Sequence, residues 1–314
     1  MSPAESQGRI RWGLIGAGRI GKAYVESASL FPRNEFAWCA DPAIPERPSY
    51  QAALEAASID AALVCTPPNL HFDICADLLD RGVPTLCEKP VALAARQART
   101  LVDRAVSTGT LFSQPAKFRG VPEVMRAREL LMEGALGELR QVEVHFAGVV
   151  DMTQRWNSNR GISGGGVLID NGSHAVDLIR YFAGPIVAVR AGVGEQLQPV
   201  PVEDSAWLEA RTVQGVQGKL FVSWSHPPEQ ADYLRLTGTR ATVAIGWRQS
   251  TLTEGTNIRT FGKQYDKLYS LGVQLERFAR RTPMVTAEEA AATVAVIEAG
   301  YRSIGSTAWE PVEQ

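Results

Sequence analysis

The chain has 314 residues, 45% hydrophobic and 21% charged, with a formal net charge of -2; that length and balance fit two globular domains, each able to bury its own core. Near-neutral charge gives no electrostatic reason to expect nucleic acid or an anionic membrane as partner. No apolar run approaches the roughly 20 residues that span a bilayer, and the polar opening at residues 1–8 lacks a secretory hydrophobic segment, so the cytoplasm is the expected compartment.

Residues 10–15 read as a buried strand, followed by Gly16-Ala17-Gly18-Arg19-Ile20-Gly21 and a helical run to about residue 30. This is the G-x-G-x-x-G pattern between strand and helix. Gly16 permits the tight turn, Gly18 lets the backbone approach a pyrophosphate, and Gly21 lets helix and strand pack closely. The helix start, with Arg19 and Ile20 in its first turn, offers N–H groups and positive dipole to phosphates. A second strand, 35–40, ends in Asp41, twenty residues beyond Gly21. A carboxylate there accepts both ribose hydroxyls of an adenosine and repels a 2′-phosphate, which makes NAD the expected cofactor. The plainer alternative, a turn Asp before Pro42, stays open.

The stretch from Asp41 to Pro48 is too rich in proline for a helix, and a short helix is expected at 50–57. Strands at 61–65, 83–87 and 111–114 then alternate with helices at 69–81 and 94–106. Strands apolar on both faces, separated by amphipathic helices, imply a parallel sheet covered on both sides. Ligands of such sheets sit at the carboxyl ends of the strands. Two motifs fall there: Thr66-Pro67-Pro68-Asn69-Leu70-His71 and Cys87-Glu88-Lys89-Pro90. Cys39, Cys65, Cys75 and Cys87 match no zinc or disulfide spacing, so free thiols and no metal are expected.

From about residue 121 the pattern changes. A helix at 122–133 leads into an alternating strand at 139–149, and further alternating runs follow at 203–213, 219–226, 233–237 and 241–247, with Gly215, Gly218 and Gly238 as turns. Between the first two of these lie Gly164-Gly165-Gly166 and an amphipathic helix over 167–182. Asp170 and His174 stand four residues apart on it and Asp177 three beyond, so all three share a face. A histidine beside a carboxylate can hold one tautomer and move a proton near neutral pH; the alternative is a histidine capped by an Asp on an exposed face. Two striped helices close the chain. The expected fold class is α/β: a dinucleotide-binding domain over 1–120, then an α+β domain over 121–314 with an open, mostly antiparallel sheet, the closing helix free to pack back on the first domain.

Taken in order, Gly16 to Gly21, Thr66-Pro67-Pro68 with His71, Glu88-Lys89-Pro90, Ser163-Gly164-Gly165-Gly166 through Asp170 and His174, and the closing helix resemble the Gfo/Idh/MocA family. These are nicotinamide-dependent sugar and cyclitol dehydrogenases. The resemblance implies an N-terminal Rossmann domain and a second domain whose open sheet packs against another subunit, hence a homodimer or homotetramer. It also implies that Lys89 is the lysine of the Glu-Lys-Pro motif, with Asp170 and His174 as catalytic residues. Besides the glycine loop and Asp41, it places Thr66, Pro67, His71, Glu88 and Lys89 at the cofactor. Lys117, Arg119 and Trp156 fall, with Asp170 and His174, where such proteins bind a small polyol substrate; a solvated surface for Lys117 and Arg119, and simple packing for Trp156, stay open.

The implied chemistry is transfer of a hydride from a carbinol carbon to the nicotinamide, with His174 taking the hydroxyl proton and Lys89 stabilising the oxygen. A non-catalytic dinucleotide-sensing protein and a reductase of a carbon–nitrogen or carbon–carbon double bond are the competing readings. The run 219–226 is apolar or aromatic on both faces (Leu220, Val222 and Trp224 against Phe221), and such a sheet face needs a partner. His145 and His226 receive no role.

Overall fold

Short apolar strands alternate with amphipathic helices through the first third of the computed structural model, which describes residues 8–44 and 47–313. The polar opening, apart from Gly8, and Pro45 and Glu46 of the proline-rich stretch lie outside the described residues. In chain order come β1 (Ile10–Ile15), α1 (Arg19–Ala28), β2 (Asn34–Ala40), α2 (Tyr50–Ala56), β3 (Ala61–Val64), α3 (His71–Asp80), β4 (Thr85–Cys87), α4 (Ala95–Thr108) and β5 (Phe112–Ser113). There follow α5 (Pro122–Met132), β6 (Leu139–Ala147), α6 (Arg160–Ser163), α7 (Val167–Ala183), β7 (Ile186–Val193), β8 (Ser205–Thr212), β9 (Gln217–Ser223) and β10 (Asp232–Gly238). The chain finishes with β11 (Thr242–Gly246), β12 (Ser250–Glu254), β13 (Asn257–Phe261), α8 (Lys267–Ala279), α9 (Ala287–Ser306) and β14 (Glu310–Pro311).

These elements form two compact units. The first takes the stretch up to Ala92, Arg96–Gly120 and Lys267–Ala290; the second takes Leu93–Ala95, Val121–Asp266 and the stretch from Ala291. The chain therefore leaves the first unit near Gly120 and re-enters it with α8.

In the first unit β1 to β5 form a five-stranded sheet in the order β2-β1-β3-β4-β5, with every pairing parallel. This is a Rossmann-type sheet, and the order reverses between β1 and β3, the position at which doubly wound sheets take their ligands. Its core gathers Trp12, Leu14, Tyr24, Leu63 and Leu86 with Leu271, Leu275 and Phe278 of α8. The Trp12 and Phe278 rings lie 5.5 Å apart, so a late helix completes an early core. Each such large side chain contributes about 1.5–3 kcal/mol through burial. The proline-rich stretch shortens the second helix of this unit to the seven residues of α2, started by Ser49, whose Oγ accepts from Ala52 N at 3.2 Å. Cys65, Cys75 and Cys87 are buried and Cys39 half-buried, all as free thiols.

In the second unit nine strands form one sheet in the order β13-β12-β11-β10-β6-β9-β8-β7-β14. All pairings are antiparallel except β6 with β9. One face is covered by α7, whose Val167, Leu168, Val176, Leu178 and Ile179 are fully buried. Gly218 lets Ile179 lie directly on the sheet, since a Cβ there would meet the Ile179 side chain. The same core takes Val142, Val144, Leu208, Leu220 and Val222 from the strands.

Opposite lies a face with a regular pattern. Trp207, Phe221 and His145 stand in register across three strands, the last two rings stacked at 5.0 Å. The next row reads Arg190, Glu209, Lys219, Glu143, Arg235, alternating in sign across five strands. Opposite charges facing one another across a sheet stabilise the pairing by about 0.2–1 kcal/mol each.

Four strands escape the sequence pattern, the shortest being the two-residue β14. β7 mixes valine with alanine and glycine, and β12 and β13 are polar, β13 being almost wholly exposed. Among the described residues no helix is long and apolar enough to cross a membrane, and no group of three or more His, Cys, Asp or Glu is placed to hold a metal.

One buried residue ties the strand ends of the first unit together. His71, at the start of α3, is 0% exposed; its Nδ1 lies 2.7 Å from the Pro90 carbonyl and its Nε2 2.8 Å from that of Thr66. The ring is thus sealed between two backbone carbonyls, where it shapes the loops that follow β3 and β4. Burial disfavours the charged ring and outweighs the pull of the two carbonyls, so the His71 pKa is lowered from 6.5. A histidine held neutral in the fold binds fewer protons than in the unfolded chain, so stability is full above pH 6.5 and declines as pH falls below it, until the lowered folded pKa is passed. Thermal unfolding followed from pH 8 to pH 5 should show that decline, and His71→Gln should flatten it while lowering stability at pH 8. Identical pH slopes in the two proteins would show that His71 does not titrate in this way.

Candidate active site

In the first unit the turn after β1 brings backbone to backbone. Gly16 has φ +96°, and a Cβ on it would lie 2.7 Å from the Cys65 carbonyl and the Thr66 nitrogen. A Cβ on Gly21 would collide with the Gly16 carbonyl, while one on Gly18 would meet nothing within 4 Å. Gly16 and Gly21 are thus fixed by packing, and the space before Gly18 is open. Helix α1 starts there without a side-chain cap and without an acidic residue in its first turn. Such a helix start suits the phosphates of a dinucleotide. Arg19 is exposed and Ile20 half-buried at this turn.

Asp41 closes the far side. Its Oδ2 accepts from Ala17 N at 2.6 Å and its Oδ1 from Ala43 N at 2.9 Å. Each oxygen keeps a second acceptor position, which is what a ribose diol needs. At the end of β3 the Thr66 hydroxyl is buried without a hydrogen-bond partner, beside half-buried Pro67. An orphaned buried hydroxyl next to the glycine turn fits a site whose remaining partner is a ligand. With the open space before Gly18, these features match a dinucleotide.

Glu88 and Lys89 follow β4. The Glu88 Oε1 accepts from the hydroxyl of Tyr24, at 3.0 Å, and its Oε2 from the Lys89 amide, also at 3.0 Å. Glu88 thus braces the backbone beneath Lys89, and the cis Lys89–Pro90 bond is held from the other side by His71. Sequence reasoning missed Tyr24, fully buried in α1, and Gln114, 3% exposed just past β5 with its Oε1 unpartnered. A polar residue inside an apolar strand run was the available signal for Gln114.

Lys117 and Arg119 sit in a short 3-10 turn, Lys117–Gly120. The Lys117 ammonium lies 4.8 Å from the centre of the Phe118 ring. Arg119 is 2% exposed and donates to the Met284 carbonyl at 2.8 Å and to Glu289 at 3.0 Å. The guanidinium thus fastens this turn to the α8–α9 connection at Met284 and to the first turn of α9 at Glu289.

The second unit presents α7. Its residues are buried apart from Asp170, Asn171, His174, Arg180 and Tyr181, all half-buried. Asp170 and His174, one turn apart, are therefore the titratable pair that this helix leaves reachable near its start, whereas Asp177 is 4% exposed. Gly164, with φ +83°, ends α6, and Ser163 closes the turn by donating to the Gly165 carbonyl at 2.6 Å. Trp156, 44% exposed, lies in the short turn Trp156–Ser158 that precedes α6. Two distant residues that the sequence did not single out, Glu203 and Tyr301, meet the amides at the start of α7.

Comparison with known proteins agrees with both halves. Residues 10–114 match the family model of oxidoreductases with an NAD-binding Rossmann fold, and residues 124–244 match that of the GFO/IDH/MocA C-terminal domain. The chain is 36% identical over 187 residues to the rhizopine catabolism protein MocA of Rhizobium meliloti, and 26% identical over 238 residues to levoglucosan dehydrogenase of Pseudarthrobacter phenanthrenivorans. These alignments cover 56% and 66% of this chain, and span 58% and 59% of the two relatives. Inositol 2-dehydrogenase of Rhizobium meliloti is 29% identical over 190 residues, 56% of this chain and 55% of that one. Among solved structures, levoglucosan dehydrogenase in complex with NADH superposes with a TM-score of 0.87 at 17% identity, covering 98% of this chain and all of that one. An inositol dehydrogenase homologue from Azotobacter vinelandii complexed with NAD+ gives 0.86 at 20%, covering 97% of each chain. Two consecutive family models on one chain, in the family's order and on the fold just described, establish that this protein belongs to the Gfo/Idh/MocA oxidoreductase family, with an NAD-binding Rossmann fold.

Proposed function

We propose that the protein is an NAD-dependent dehydrogenase acting on a secondary hydroxyl of a sugar, cyclitol or nucleotide-sugar. The observation that carries this reading is the surviving pair on α7: Asp170 and His174 stay half-exposed on a helix otherwise committed to the core, in a chain that also keeps Glu88-Lys89-Pro90. A binding protein that only senses dinucleotide has no use for that set, and reduction of a carbon–carbon or carbon–nitrogen double bond does not require the same base. Relatives named for inositol, levoglucosan and D-xylose support a polyhydroxylated substrate.

Bound NAD supplies the hydride acceptor. His174 takes the hydroxyl proton as the carbon–hydrogen bond breaks, and Asp170 orients the imidazole or the substrate and favours the charged ring. The Lys89 ammonium stabilises the oxygen as negative charge develops. In the reducing direction His174 returns the proton. Trp156 offers an aromatic face to a sugar ring, and Lys117 is a cation for its hydroxyls.

Turnover of NAD with a panel of aldoses, cyclitols and anhydrosugars tests the reading. His174→Ala should lower the rate by about two to four orders of magnitude with NADH binding nearly intact. Lys89→Ala should cost a comparable amount and Asp170→Asn less, and the losses in a Lys89/His174 double variant should not add. A near-normal single-turnover rate in His174→Ala, with an unchanged pH profile, would sink the assignment.

Asp41 predicts a preference for NAD over NADP. Asp41→Ser should narrow the ratio of kcat/KM values by about one to two decades. Equal wild-type efficiency with the two cofactors would be decisive against it.

The sheet face of Trp207, Phe221 and His145 supports a homodimer or homotetramer. Light scattering at micromolar concentration should report more than one subunit, and Phe221→Glu should shift it towards monomer by burying an unpaired charge. A wild-type monomer under those conditions would remove the proposal.

A further inference from the structure

A helix start leaves its first amides without intrahelical partners, and they are ordinarily met by a Ser, Thr, Asp or Asn at the N-cap. α7 has Gly166 there and no side-chain cap of its own. Its amides are met instead by a residue far along the chain. The Glu203 Oε1 accepts from Gly166 N at 2.9 Å and from Leu168 N at 3.1 Å, and the Glu203 backbone carbonyl accepts from Val167 N at 2.9 Å. The same Oε1 accepts the hydroxyl of Tyr301, from α9, at 2.7 Å. Three consecutive amides of the helix that carries Asp170 and His174 are thus held by one glutamate, which is itself held by one tyrosine.

The glycines before α7 make room for this arrangement. A Cβ on Gly165 would overlap the Tyr301 hydroxyl, and one on Gly166 would overlap the Glu203 carbonyl. Burial and the Glu203 charge push the Tyr301 phenol far up, so it stays a donor across the working pH range.

We propose that Glu203 and Tyr301 are positioning residues that clamp the first turn of α7 and thereby aim Asp170 and His174. This rests on the proton-transfer roles proposed for that pair. Asp170 lies in that first turn, so a frayed start displaces it before His174, one turn further on, and misplacement of a reacting group by about 1 Å can cost a hundredfold in rate. The Glu203 carboxylate also offsets the positive end of the helix. Losing that charge makes imidazolium formation at His174 harder and moves the acid limb of the pH profile down.

The test uses the intact protein with NAD and the best substrate of the polyol panel, alongside hydrogen–deuterium exchange read on peptides spanning residues 164–170. Glu203→Ala should speed exchange there and lower kcat by about ten- to a hundredfold, with the affinity for NADH unchanged. Glu203→Gln, which keeps the acceptor oxygen, should restore most of kcat while shifting the acid limb to lower pH. Tyr301→Phe should fall between the two. Wild-type kcat in Glu203→Ala, or a Glu203→Gln variant as slow as Glu203→Ala, would overturn the clamp. If His174→Ala itself turns over normally, the role of His174 fails instead, and unchanged exchange at 164–170 in Glu203→Ala would still refute the clamp independently.

Discussion

A helix cannot satisfy its own first amides, and both helices assigned to the chemistry begin at glycine-rich turns where that shortfall is put to use. At α1 the turn is packed so tightly that Gly16 and Gly21 admit no Cβ, yet the helix start carries no side-chain cap. The amides there are suited to an anion brought from outside. At α7 the same shortfall is met from inside, by Glu203 with Tyr301 behind it. One start favours a mobile ligand and the other a rigid scaffold. That division matches what the proposed dehydrogenase activity would ask of its parts: cofactor must come and go, whereas proton-transfer groups must stay put.

Local spacing explains why much of this could be read in advance. Gly16 to Gly21, Asp41, and Glu88-Lys89-Pro90 are short motifs whose neighbours in space are neighbours in sequence, or lie one strand away. That Asp170 and His174 share a helix face follows from periodicity, while the role expected of them is what the family resemblance implies. The burial of His71 and Arg119 was not legible because distant chain sets their surroundings: the ring of His71 is enclosed by a carbonyl nineteen residues on, and Arg119 is sealed by Met284 and Glu289. Tyr301 reaches Glu203 across 98 residues, and no pattern in either segment announces the other. β7 hid behind alanine and glycine, and β13 behind polarity, because an exposed edge strand has no buried face to impose alternation. The return of α8 to the first unit is invisible for the same reason: its apolar stripe says that it packs, not on what.

Glu203 and Asp204 are adjacent, and each holds a different part of the second unit. Asp204, 1% exposed, accepts from the Leu197 and Gln198 amides and from the Ser225 hydroxyl. Gln198 in turn holds the Val150 carbonyl and the Met152 amide, just ahead of the segment with Trp156. One acidic dipeptide therefore fastens the start of α7 on one hand and the root of a surface loop on the other. A variable loop can change its tip without disturbing the helix when its root is anchored this deeply.

The shortest strand of the nine-stranded sheet has a consequence of its own. β14 is two residues long, pairs with Ala188 and Val189, and ends in Pro311, which has no N–H to offer a newcomer. It lies over the outer rim of β7, a strand with exposed Val187 and Val193. Unpaired rims of this kind recruit foreign strands and seed aggregates, and nature blunts them with short strands and proline. β14 thus acts as a selvedge, finishing the woven edge so that it does not unravel into contact with other chains. A protein clipped before Glu310 would keep its helices and its chemistry on paper, yet bare β7 and become prone to growing sideways, strand upon strand.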